Sequence, residues 1–141
     1  MSKVFKVNLN KKVQIIMYQI EKINDNCFYI KATGTLPPPV AERFIDEFTK
    51  LTKNINKNLS IIVDISDAIL LSINSIEIIL ELLKRNNEKL FRSAFIVEKN
   101  PPLNEEFKYI LDRAQSPKRK IVSSIEEAKT WIGIDEIVFK K

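Results

Sequence analysis

The stretch Leu59-Ser60-Ile61-Ile62-Val63-Asp64-Ile65 constrains the fold more than any other part of the chain. It is short, rich in β-branched residues and almost continuously apolar, which marks a strand covered on both faces inside a parallel sheet. Parallel neighbours cannot be joined by a tight turn, so such a strand calls for crossover helices on either side. Both are legible. Upstream, Val40, Ala41, Phe44, Ile45, Phe48 and Leu51 recur three or four residues apart, with Glu42, Arg43, Asp46, Glu47 and Lys50 between them, predicting an amphipathic helix entered from Pro37-Pro38-Pro39. Downstream, a helix over about 75–87 carries Ile76, Ile78, Ile79, Leu80, Leu82 and Leu83 against a narrow polar stripe of Glu77, Glu81 and Lys84.

The same alternation continues to the end. A strand from Arg92 to Glu98 leads through Pro101-Pro102 into a helix with Phe107, Ile110, Leu111 and Ala114 at core spacing, proline being suited to a helix entrance. A short strand, Lys120 to Ser123, precedes Ser124 and Glu127, spaced for reciprocal capping of a last helix whose core face is Ile125, Ala128, Trp131 and Ile132. Gly133 supplies its stop. Before all this, Val13 to Thr35 reads as two strands around the polar turn Lys22 to Asn26, with Phe28, Ile30 and Ala32 on one face of the second. The expected fold is α/β, order ββαβαβαβα: a mixed sheet, with an antiparallel hairpin at its edge followed by parallel strands joined through right-handed crossovers, packed against helices.

At 141 residues the chain is sized for one domain, 1–141, with its core over about 12–133 and a tail over 134–141 whose packing the sequence leaves open. No run reaches the roughly 20 apolar residues of a membrane helix, and the amino end lacks a signal-peptide core, so the cytoplasm is expected. A lone Cys27 agrees with that. The net charge of +5 is spread among acids along the helices, so nucleic acid is not an expected partner. The densest basic run, Lys118-Arg119-Lys120, is placed either to touch an anionic partner or to be a solvated turn entering a strand, and the turn is the preferred reading.

Reactive groups are scarce. Histidine is absent, only one cysteine is present, and the two glycines cannot build a phosphate cradle, so neither a cofactor, a metal site nor catalysis is expected. The remaining candidates are Asp64 and Asp67, at the carboxyl end of the central strand where open α/β sheets bind ligands. They are spaced either to hold a hard cation or, with Ser66, to form the turn after the strand, and the turn is the preferred reading. Cys27 reads as a strand residue and Trp131 as an anchor of the last helix. The broad apolar face of the 75–87 helix implies a wedge between the sheet and another element or a surface that a partner covers, the first being the default.

The stretch Ile61-Ile62-Val63-Asp64-Ile65-Ser66-Asp67-Ala68-Ile69-Leu70-Leu71-Ser72-Ile73-Asn74-Ser75-Ile76 resembles the STAS superfamily, the sulfate-transporter and anti-sigma-factor-antagonist domains. Val63-Asp64-Ile65-Ser66 matches the strand end of that pattern. The segment from Ile121 to Ile132 is similar to the STAS-like branch that resembles lipid-transfer domains. The resemblance implies a regulatory aspartate at Ser72, serines at Ile73 and Asn74, and glycine at Ser75. The phosphoacceptor position thus holds Asn74, which has no hydroxyl, and a kinase-switched antagonist would have to use Ser72 or Ser75. Either would place phosphate at a helix amino end, and either could equally serve as its cap.

The expected function is a STAS-like regulatory or scaffolding module of bacterial-type signalling. It would bind a protein, with a homodimer also open, through Asp64, Ser66, Asp67, Ser72, Asn74, Ser75, Ile78 and Ile79. The alternative is a carrier of a small apolar ligand such as a fatty acid.

Overall fold

A computed structural model describes residues 2–9, 12–69, 71–97 and 101–134, with side chains from Tyr18 onward. Its six-stranded sheet has the order β1-β2-β3-β4-β5-β6. β1 (Ser2–Leu9), β2 (Lys12–Asn24) and β3 (Cys27–Thr33) form an antiparallel meander; β4 (Leu59–Asp64), β5 (Leu90–Ile96) and β6 (Arg119–Val122) then add in parallel. From β2 onward the order is the expected ββαβαβαβα. The strand before it, β1, was not foreseen and takes the edge position expected for the hairpin. The strand predicted over Arg92 to Glu98 starts two residues earlier, at Leu90, and Glu98 lies outside the described residues, as does the tail beyond Ile134.

Three consecutive crossovers, all stepping the same way across the sheet, place their helices on the same face, because each is right-handed. These are α1 (Pro38–Leu51), α2 (Ile73–Asn86) and α3 (Pro101–Ala114). Phe28, Ile30, Ile61, Val63 and Phe95 point toward them, and their strand neighbours Cys27, Ile62, Ala94 and Ile96 point the other way. That second face is covered by α4 (Ile125–Ile132) through Ala128 and Ile132. β4 is therefore buried on both sides, as its apolar run predicts, and Ile62 is fully buried. Each such side chain contributes about 1.5–3 kcal/mol. Tyr18 meets Phe44 edge-on at 5.4 Å and donates its hydroxyl to Glu47 at 2.8 Å, pinning α1 to β2.

The apolar breadth of α2 has its explanation in this layer. The helix lies between α1 and α3 and on the sheet, burying Ile76, Ile79, Leu80, Leu82 and Leu83. A helix with three neighbours has only a narrow strip left for water.

α4 begins and ends as its sequence foretells, with one change. The Ser124 hydroxyl accepts from the Glu127 N–H at 3.1 Å, but the Glu127 carboxylate turns to the Ser123 hydroxyl at 2.6 Å instead of closing the box on Ser124. Gly133 ends the helix at φ 87°, a left-handed conformation that side-chain-bearing residues resist. Trp131 anchors the helix by donating its indole N–H to the Ser93 carbonyl at 3.0 Å.

The basic run is not a solvated turn. Arg119 is only 8% exposed and donates to the Leu83 carbonyl at 2.8 Å and to Asn87 Oδ1 at 3.2 Å, at the carboxyl end of α2. Lys118 donates to the Asn87 carbonyl, and Lys120 lies over the Trp131 ring on the opposite face. The period of two in β6 sends 119 and 121 inward and 120 outward. Among the described residues no helix is long and apolar enough to cross a membrane.

Candidate functional site

At the carboxyl end of β4 the chain makes a bend that short-range polar groups define. Asp64 accepts the Ser66 N–H at 3.1 Å on one carboxylate oxygen and the Tyr29 hydroxyl at 3.1 Å on the other. The loop then docks on the segment after β3. The Gly34 N–H donates to the Asp67 carbonyl at 3.1 Å and the Ile69 N–H to the Gly34 carbonyl at 2.8 Å, a one-residue parallel bridge made possible by Gly34 at φ 78°. Further on, the Leu71 N–H donates to the Glu106 carboxylate of α3 at 2.8 Å.

Ser72 then caps α2, its hydroxyl oxygen accepting the Ser75 N–H at 3.2 Å. Ser75 is fully buried. Its hydroxyl donates to the Leu36 carbonyl at 2.5 Å and accepts from the Ser72 hydroxyl at 3.1 Å. The amino end of α2 is thus tied to β3's exit loop, to α3 and to its own cap, leaving little freedom to lose when something binds there.

Asp64, Ser66, Asp67, Ser72, Asn74 and Ser75 come together at this end of the sheet. Ser72 and Asn74 are exposed, Ser66 is half-buried and Ser75 is sealed. Ile78 lies elsewhere, half-buried in the groove between α1 and α2 beside Ile45, and Ile79 belongs to the core under α2. Two residues that sequence reasoning passed over dominate the surface: Ile73 is 77% exposed and Ile69 51%. The available signal was an isoleucine in the loop and another at the first turn of α2, where a polar residue is the usual choice.

The acids do not assemble a reactive centre. Asp64 is engaged by Tyr29 and by backbone, whereas Asp67 pairs with Lys31 at 3.8 Å in a largely exposed contact of small energetic weight. Among the described residues no three acids or thiols converge as metal ligands. Burial, and then the Asp64 carboxylate, raise the Tyr29 hydroxyl well above the usual phenol range. Burial raises the Glu106 carboxyl above its ordinary value, opposed by the Leu71 N–H. The Cys27 thiol is buried and pushed up to about 11 by desolvation, which leaves almost no thiolate at neutral pH.

A second feature lies beneath the same loop. Between the sheet and the α1–α3 layer is an apolar cavity of about 90 Å³, running past Val63, Ile79, Phe95 and Phe107 to Arg119. By the same measure one water needs roughly 10–15 Å³, so the space is several times larger than a single-water site.

No protein-family model matches the chain, and no curated protein matches it. Solved structures do. An uncharacterized protein of the DUF3478 family with a SpoIIAA-like fold, from Shewanella loihica, superposes with a TM-score of 0.62 at 15% identity, covering 93% of each chain. An anti-sigma factor antagonist from Mycobacterium paratuberculosis gives 0.61 at 13% identity, over 84% of this chain and 94% of that one. The anti-sigma factor antagonist SpoIIAA in its unphosphorylated form gives 0.53 at 13% identity, over 78% and 91%. The chain therefore has the SpoIIAA-like fold that the STAS resemblance implied.

Proposed function

We propose that this SpoIIAA-like fold serves as a non-catalytic regulatory or scaffolding module in the cytoplasm, docking a protein partner at the amino end of α2. Two of its structural neighbours are named as anti-sigma factor antagonists. The observation that carries the reading is that Ile69 and Ile73 are apolar and exposed in the same loop-to-helix segment as the exposed polar residues Asp67, Ser72 and Asn74. An apolar centre inside a polar rim, on a backbone already held in place, is the anatomy of a protein interface. The lack of histidine in the chain, the sealed thiol and the engaged Asp64 support a role without turnover.

Within this reading Ser72 is the residue for a phosphate switch. Ser72 is exposed at a helix amino end, and a phosphate there would exchange the hydroxyl's bonds to Ser75 for contacts with the helix N–H donors and alter the rim of the docking face. Ser75 would have to leave its bonds to Leu36 and Ser72 first.

The test is cross-linking capture from the source cell with the wild type, Ile73→Glu and a remote surface control, Arg85→Ala, paired with sedimentation equilibrium. A discrete partner, or a second copy of this chain, held by wild type and control and lost with Ile73→Glu supports docking here. A partner retained by Ile73→Glu, or none at all, refutes it. A second reading, carriage of a small apolar ligand, is favoured by the cavity beneath the 65–72 loop.

A further inference from the structure

Arg119 presents a problem that the fold alone does not resolve. A guanidinium has five N–H donors and a charge that is expensive to remove from water unless an anion or a full set of acceptors meets it. Arg119 is 8% exposed, yet no carboxylate among the described residues pairs with it. One terminal nitrogen donates to the Leu83 carbonyl at 2.8 Å and to Asn87 Oδ1 at 3.2 Å, and the other reaches Ser93 Oγ only at 3.5 Å. Its Nε–H is buried with no acceptor. Burial pushes the guanidinium down to about 10, still charged at neutral pH.

This unpaired cation lines the apolar cavity. The cavity's other walls are hydrocarbon for most of their length: Ile61 and Val63 from β4, Ile65 just past its end, Phe95 from β5, Ile79 from α2 and Phe107 from α3. Ser93, which pairs with Arg119 in the sheet register, also pairs with Ile61, so the distance from the Arg119 end to Ile65, the residue just past β4, is four residues along the chain. At about 3.3 Å per residue that is roughly 13 Å, the length of a medium-chain fatty acid. At the far end the lining passes to Leu36, Ala68, Ile69 and Leu71, the loop at the surface.

We propose that the cavity takes a medium-chain carboxylate, its hydrocarbon chain lying between β4 and the α2–α3 pair and its headgroup accepting the Nε–H of Arg119. The inference rests on the ligand-carrier reading and adds the chemistry of the headgroup and the residue that selects it. A carboxylate is planar and acceptor-only, so it matches both the charge and the unused donor of the guanidinium. The Thr35 hydroxyl, also buried without a partner, lines the loop end of the same cavity, but it carries no charge and so gives no preference for an anion.

The test uses the full chain with decanoate and with 1-decanol, which share a chain and differ in the headgroup, and follows calorimetry, native mass spectrometry and the arginine Nε–H resonances. The expected result is one decanoate per chain, at least about tenfold tighter than decanol, with the Arg119 Nε–H signal, assigned from Arg119→Lys, shifting downfield on decanoate alone. Equal affinity for the two ligands, or a stationary Nε–H signal, overturns the anchor while leaving the carrier reading intact. Binding of neither overturns both. Arg119→Met, which keeps length and loses charge, should abolish the preference for decanoate over decanol. Because that variant also uncaps α2 and lowers stability, the two-ligand comparison on the wild type decides the question by itself.

Discussion

The two serines at the start of α2 offer the sharpest measurement of how the candidate docking face is held. Ser75→Ala removes a fully buried hydroxyl that donates to the Leu36 carbonyl at 2.5 Å and accepts from Ser72 at 3.1 Å. One oxygen leaves almost no cavity, so the cost is that of lost hydrogen bonding and of a carbonyl deprived of its donor, together about 2 kcal/mol. Ser72→Ala removes the cap from α2 and costs about 1 kcal/mol. Because the two hydroxyls bond each other, the double variant should lose less than the sum, with a coupling of about 0.5–1 kcal/mol. With a urea m-value of roughly 1–3 kcal/mol/M, the Ser75→Ala midpoint falls by about 1 M. Urea unfolding followed by circular dichroism on the four proteins measures all of this. A Ser75→Ala midpoint equal to the wild type, or strict additivity in the double variant, would show that the Leu36–Ser75–Ser72 chain does not hold the face in place.

Other parts of the molecule make independent predictions. Cys27, with its thiol pushed up to about 11, should label with iodoacetamide at pH 7.5 no faster than the protein opens, and fully within minutes in denaturant. Glu106 is raised in the folded state, so its contribution to stability is present below the unfolded carboxylate range and is lost as pH rises through the folded value. Glu106→Gln keeps an acceptor for the Leu71 N–H, and should flatten the pH dependence of unfolding above about pH 4 without loss at pH 7; a variant as pH-dependent as the wild type would contradict this. Gly133→Ala meets no neighbour within 4 Å, so it should cost only the left-handed backbone penalty of about 1–2 kcal/mol, read as a shifted thermal midpoint. Ile79→Glu should unfold the chain, whereas Ile73→Glu should leave stability within about 0.5 kcal/mol, since one side chain is in the core and the other already in water.

Much of the architecture is written locally. Periods of two and of three to four separate strands from helices, the prolines mark helix entrances, Ser124 marks a cap and Gly133 a stop, and each of these depends on a few neighbouring residues. The turn at the carboxyl end of β4 was legible for the same reason, since Asp64, Ser66 and Asp67 lie within four consecutive residues. Ser75 and Ile79 were harder, because a serine or isoleucine on α2 looks the same whether it faces water or the core. The first strand escaped because what identifies it, the pairing of Ser2–Leu9 with β2, joins residues up to 17 positions apart.

Taken alone, the amino-acid order determined the kind of each element from Lys12 onward, their succession, and the shortage of reactive groups. Tertiary structure decided the rest. It wedged α2 between two helices, turned Arg119 from a supposed surface cation into a buried one beside a cavity, and left Ile69 and Ile73 in water while sealing Ser75. The physical reason is one of range: hydrogen bonding in turns and caps is settled between near neighbours, whereas burial belongs to whatever distant segment comes to lie on top.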